Sequence, residues 1–152
     1  MKCLFIVLIL ILIGGVVGWW YWPDLKPGPL KSLTREIKRA AREVQESGQS
    51  QKVEFHPPDS EAWLLMGAAY CYAASLQTDF PENLIKEIDN ICLGEHGHLF
   101  YIKNDRIVDY EPLGHPVYPV VSMAGRKGDV TLLIRQEKDP ASSRDVRIEI
   151  AV

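Results

Sequence analysis

The amino-acid sequence predicts an α+β protein: an N-terminal transmembrane helix, then one small domain in which a helical hairpin packs on an antiparallel β-meander of about four or five strands. Three observations carry this expectation. Cys3 to Trp22 is an unbroken run of twenty residues with no charge, about the length that crosses a bilayer core. Between Ser32 and Cys92, apolar residues recur at helical spacing. From His98 onward the apolar period falls to two, as half-buried strands require.

The leading run has a Leu- and Ile-rich body, then Gly14, Gly15 and Gly18, and closes on Trp19, Trp20, Tyr21 and Trp22. Such an aromatic cluster fits a membrane interface, because the rings are apolar in body and polar at the edge. A cleaved signal peptide is the alternative, with Val16 and Gly18 as the small residues before a cut after Gly18. The run exceeds the roughly 7–15 residues of a usual signal core, which favours a retained anchor over residues 1–22. Two signals disagree on orientation. Lys2 favours a cytoplasmic N-terminus, whereas Lys26, Lys31, Arg35, Lys38, Arg39 and Arg42 fall where the positive-inside rule counts them. A Lys-led start running directly into an apolar core is the layout of a secretory signal. The expected domain is therefore extracytoplasmic, facing a periplasm or the exterior.

Beyond residue 23 the chain is of ordinary size for one domain, and 24% of all 152 residues are charged. The net charge of −3 is distributed unevenly. Residues 26–42 are basic, while Glu82, Glu87, Asp89, Glu95, Asp105, Asp109 and Glu111 come later. A basic collar suits anionic lipid headgroups. It does not suit nucleic-acid binding, which calls for a basic face on the folded domain. The expected partners are the lipid bilayer and another membrane or envelope protein.

Pro23, Pro27, Gly28 and Pro29 stiffen a linker over residues 23–31. Ser32 then stands at an N-cap position, and Leu33, Ile37, Ala40, Ala41 and Val44 define a basic amphipathic juxtamembrane helix over residues 32–48, stopped by Gly48. Its cations could lie on lipid. Its Ala-rich apolar side, lacking bulky anchors, favours packing within the domain instead. The remaining α+β domain is expected over residues 49–152. Lys52 to Phe55 alternates as a strand, ended by His56, Pro57 and Pro58. Asp59 or Ser60 caps a helix over about residues 60–77, AWLLMGAAYCYAASLQ, apolar nearly all round and so central and buried. A further helix over about residues 82–93 starts near Pro81, carries Leu84, Ile85, Ile88 and Ile91, and ends at Gly94.

The strand region of about 98–152 opens with HLFYI and RIVDYE around a Lys103, Asn104, Asp105 turn. PVYPVVSM follows, with Pro116 and Pro119 marking an edge strand. DVTLLIRQE comes after a loop AGRKG, and DVRIEIAV after a loop KDPASSR.

Within the central apolar stretch, SEAWLLMGAAY places Trp63, Met66, Gly67 and Tyr70 where a tetratricopeptide repeat has Trp, Leu, Gly and Tyr. It resembles the first helix of that repeat, and PPDSEA resembles the turn leading into it. Asp79 and Phe80 resemble the start of the repeat's second helix but come several residues late, and no second copy occurs, although such repeats stack in about threes. The resemblance covers about a dozen residues. It implies a repeat-like helical hairpin able to hold a peptide or partner.

Two groups of residues carry chemistry. Cys71 and Cys92 fall one on each helix of the expected hairpin, where they either pair as a disulfide in an extracytoplasmic domain or remain buried free thiols. Cys92, His96, His98 and His115, near Glu95, could ligate a metal, although their spacing matches no strong zinc signature. No nucleophile sits in a characteristic turn and no glycine-rich phosphate loop occurs, so neither an enzyme nor a cofactor is expected. The sequence points to a single-pass accessory or scaffold protein that binds a partner in a membrane complex, with Trp63, Tyr70, Tyr101, Tyr110 and Tyr118 as partner-binding residues. The alternatives are an envelope inhibitor or immunity-type binder of one enzyme, and a metal-binding domain using His96, His98 and Cys92.

Overall fold

Two helices and eight strands organise residues 28–73, 79–137 and 145–151, the parts of the chain described by a computed structural model. The apolar run Cys3–Trp22, the linker before Gly28 and the KDPASSR loop lie outside the described residues. Among the described residues, no helix is long and apolar enough to cross a membrane. In chain order the elements are α1 (Pro29–Ser47), β1 (Gln51–Phe55), β2 (Trp63–Gly67), α2 (Glu82–Cys92), β3 (His98–Lys103), β4 (Arg106–Pro112), β5 (Val117–Pro119), β6 (Met123–Lys127), β7 (Val130–Gln136) and β8 (Val146–Ile150).

Helix α1 starts ahead of Ser32, inside the expected linker, because Gly28 and Pro29 serve as N-cap and first helical residue. One of its N-terminal amides finds a distant acceptor: the Leu30 N–H donates to Asp109 Oδ2 on β4 at 3.0 Å. A Cβ at Gly28 would fall on that carboxylate, so only glycine admits the approach. At the other end Gly48 takes φ 69° and its N–H returns to the Val44 carbonyl. Leu30, Leu33, Ile37, Ala40, Ala41 and Val44 are all buried in the main core. We expect Asp109→Ala to cost about 1 kcal/mol, the usual scale of a lost N-terminal cap. A urea titration should show a lower midpoint at an unchanged slope.

The strands form two sheets, ordered β1-β7-β8-β5 and β4-β3-β2-β6. The second is antiparallel throughout. In the first, the short edge strand β5 runs parallel to β8. The main core lies between α1 and the inner faces of both sheets, where Phe55, Leu132, Ile134 and Ile148 meet Leu64, Met66, Leu99 and Tyr101. A second core lies on the opposite face of the second sheet, where Leu65, Phe100, Ile102 and Met123 are covered by Leu84, Ile88 and Cys92 of α2 and by Cys71 and Ala73.

The α+β class is therefore observed, and the single meander under a helical hairpin is replaced by two sheets and two separate helices. Its expected first arm, residues 60–77, contains strand β2. The reason is burial on both faces: Leu64 and Met66 enter one core and Leu65 the other, so β2 shows no alternation. The tetratricopeptide-like residues Trp63, Met66 and Gly67 thus stand on a strand, and Tyr70 in the turn after it. The helix-capping signal at Asp59 closes a turn instead, its Oδ1 accepting the Glu61 N–H at 2.9 Å. Lys103, at the end of β3, pairs with the same carboxylate at 2.8 Å. The expected loop AGRKG lies mostly in β6, and PVYPVVSM divides between β5 and the start of β6. The β3–β4 hairpin turns at Asn104 and Asp105, both with positive φ, as a two-residue primed turn requires.

Candidate functional site

The chain leaves β2 at Gly67 and crosses the end of α2 before passing outside the described residues at 74. Backbone amides fix its course. The Ala68 N–H donates to the Ser122 carbonyl and the Tyr70 N–H to the Cys92 carbonyl, each at 2.8 Å. The Ala73 N–H donates to Asp89 Oδ1, from the middle of α2, at 2.5 Å. Tyr70 takes φ 55° to make this path, a left-handed conformation that costs a residue with a Cβ some strain.

This course sorts the side chains in alternation. Cys71 and Ala73 turn inward and are buried, whereas Tyr70 and Tyr72 turn outward and are 61% and 64% exposed. Leu93, the residue that closes α2, is 57% exposed and follows the carbonyl that holds Tyr70. Three large apolar side chains thus crowd onto the surface where the 68–73 segment meets the C-terminus of α2. Tyr110, also exposed, stands on the same α2-bearing face of the second sheet, stacked over Phe100 with ring centres 6.4 Å apart.

Beneath this surface lies the thiol pair. Cys71 Sγ and Cys92 Sγ are 2.9 Å apart and both residues are buried. A Cβ on Gly67 would come within 2.7 Å of the first sulfur and 3.3 Å of the second, so β2 makes room for them by carrying no side chain there. The hydrogen bond shared with Cys71, in which Cys92 keeps its proton, pushes the Cys92 thiol far above its ordinary value, with burial second. The same contact holds Cys71 below its own.

The other expected site residues are dispersed. Trp63 packs edge-on against Phe80 at 5.4 Å, a contact within the second core. Tyr101, expected as an exposed docking residue, is instead buried against Phe55, because its position on β3 points into the main core. Tyr118 is half-buried beside His115, whose Nε2 lies 3.7 Å from Asp145. His96 and His98 are neighbours, and burial holds the His98 imidazole below its usual range. Cys92 faces Cys71 rather than these histidines. Among the described residues, no three His, Cys, Asp or Glu groups converge as a metal site.

The outer face of the first sheet offers a different surface. Arg135 and Arg147 stand directly opposite each other on β7 and β8 and line an open hollow of about 370 Å³. Their charge is already answered, Arg135 pairing with Glu149 and Arg147 with Glu137. Sequence reasoning missed Tyr72 and Leu93. Tyr72 was hidden by the helical reading of its segment, and a period-two reading of Tyr70–Ala73 would have turned it outward. Leu93 falls off the stripe of Leu84, Ile88 and Cys92, spaced four apart, that faces the core. Compared with known proteins, the chain matches no family model, no curated protein and no solved structure.

Proposed function

We propose that this chain is a single-pass, membrane-anchored accessory or scaffold protein whose extracytoplasmic domain docks another protein of the same membrane system. The reading rests on one observation: Tyr70, Tyr72 and Leu93 are each more than half exposed where a segment fixed by its backbone amides meets the C-terminus of α2. Tyrosine is well suited to such a surface, since it offers a large apolar ring and a polar tip while losing little rotational freedom on contact. The fixed backbone lowers the ordering cost that a partner would otherwise meet. Cys3–Trp22 supplies the anchor in this reading, by its length and lack of charge.

Site-specific photocrosslinking in intact membranes tests the docking surface. A photoreactive residue at Tyr70, Tyr72 or Leu93 is expected to give one discrete adduct with a membrane or envelope protein. The same residue at Lys52, exposed on the outer face of the first sheet, is expected to give none. Equal adducts from Lys52, or no adduct at any position, would overturn the reading. A carbonate wash reports the anchor separately, and the chain should stay in the membrane pellet.

A further inference from the structure

We infer that Cys71 and Cys92 form an intramolecular disulfide in the mature protein, a staple joining the segment after β2 to the last turn of α2. The geometry is the first argument. Carbon atoms that are not bonded prefer separations of about 3.5–4.0 Å, and sulfur is larger, yet these two sulfurs sit at 2.9 Å. Only about 1 Å separates that contact from the roughly 2.05 Å of a covalent sulfur–sulfur bond.

The surroundings are arranged for the same outcome. Both sulfurs lie under β2, where Gly67 leaves the space that any side chain would take from Cys71 Sγ. Two hydrogen bonds bring the segment and the helix together independently of the thiols: the Tyr70 N–H to the Cys92 carbonyl, and the Ala73 N–H to the Asp89 carboxylate. The two cysteines are 21 positions apart and each belongs to the second core. Folding of that core therefore delivers the sulfurs to each other without any further movement of chain.

Closure is a thiol–disulfide exchange that takes place as the chain folds, before the second core covers the two sulfurs. The Cys71 thiolate attacks one sulfur of an incoming disulfide, supplied by a protein or small-molecule oxidant, and releases that oxidant's other sulfur as a thiolate. The Cys92 thiol loses its proton and attacks the Cys71 sulfur of the mixed disulfide, expelling the second oxidant sulfur. One sulfur–sulfur bond is lost from the oxidant and one is gained here, two electrons pass to the oxidant, and the two protons leave the cysteines. Once closed, the bond is covered by the second core, so reductants reach it only when the domain opens. Such a bond persists where the surroundings are oxidising, outside the cytoplasm.

The test counts thiols on the full chain, quenched with acid directly from growing cells, denatured, and treated with a polyethylene-glycol maleimide. Cys3 is changed to Ser so that only the pair is read. No addition is expected before reduction and two after it, and the intact mass should rise on reduction by that of two hydrogens. Cys71→Ser, counted under the same denaturing conditions and after reduction, should take one. Two additions without prior reduction would overturn the inference. Folding of the variants does not enter the readout, because every count is made on unfolded chain. The inference stands apart from the docking proposal: a disulfide without crosslinks removes only the docking surface, and crosslinks without a disulfide remove only the staple.

Discussion

A domain lacking α1, beginning at Gln51, is expected to be unfolded. It should show no dispersed amide spectrum and no cooperative transition in denaturant. The argument is one of burial. Leu30, Ile37 and Val44 are completely covered, with Leu33, Ala40 and Ala41 nearly so, and they fill space between the inner faces of both sheets. Removing them would expose Val53, Phe55, Leu132 and Tyr101 to water at once. The single substitution Ile37→Ala should cost about 2–5 kcal/mol, against a typical total stability of about 5–15 kcal/mol. Changing the exposed Lys38 to Ala should leave stability within about 0.5 kcal/mol. A helix whose work lay on a lipid surface would reverse this order, with the lysine mattering and the shortened domain folding normally. Urea titrations of the two single variants distinguish the cases.

How far the fold could be read from the chain depended on whether each element faces water on one side. The β3–β4 hairpin was legible because Asn104 and Asp105 signal their turn. Helix α2 was legible because Leu84, Ile88 and Cys92 make one buried stripe beside Glu82, Lys86 and Glu87. Strand β8 alternates cleanly, since Val146 and Ile148 are buried while Arg147 and Glu149 on the other face are only half-buried. Strand β2 was not legible: as an inner strand between two cores it reads as an unbroken apolar run, and length and periodicity then cannot separate strand from helix. Its continuation AAYCYAAS, rich in helix-forming Ala, strengthened the wrong reading. Strand β6 was hidden for the opposite reason. MAGRK has little apolar patterning, and Gly125 is there because a side chain would collide with Leu65 across the ladder. The β4 cap on α1 could not be read at all, because Leu30 and Asp109 are 79 positions apart and only tertiary folding joins them.

The same distinction governs the candidate site. The nearness of the two cysteines was legible from their place one on each arm of an expected hairpin, although the arm carrying Cys71 was misread, because their meeting needs only that segment 68–73 reach the end of α2. The exposed tyrosines were harder, because exposure is set by the direction of each side chain. Tyr101 and Tyr110 belong to adjacent strands, but Tyr101 points into the main core, and Tyr110 stands on the other face at the open edge of the sheet.

Reducing the Cys71–Cys92 bond is expected to lower stability by roughly 3 kcal/mol, the chain-entropy value for a closed loop of this length. The effect should appear as a fall in the denaturant midpoint when reductant is present during unfolding, and Cys71→Ala/Cys92→Ala should begin at the lower value and ignore the reductant. The double variant separates the staple from simple packing, because both chains with free or absent thiols keep the same covering residues, Leu65, Phe100 and Met123. Wild-type midpoints that do not respond to reductant would show that no staple contributes. Gly67→Ala supplies an independent check on the same mechanism: its Cβ would press on Cys71 Sγ at 2.7 Å from within β2, a strand held by partners on both sides and unable to yield. The 68–73 segment must then shift away from α2. That shift should both slow disulfide closure during refolding and weaken crosslinking from Tyr70 and Tyr72, while leaving α1 and the first sheet undisturbed.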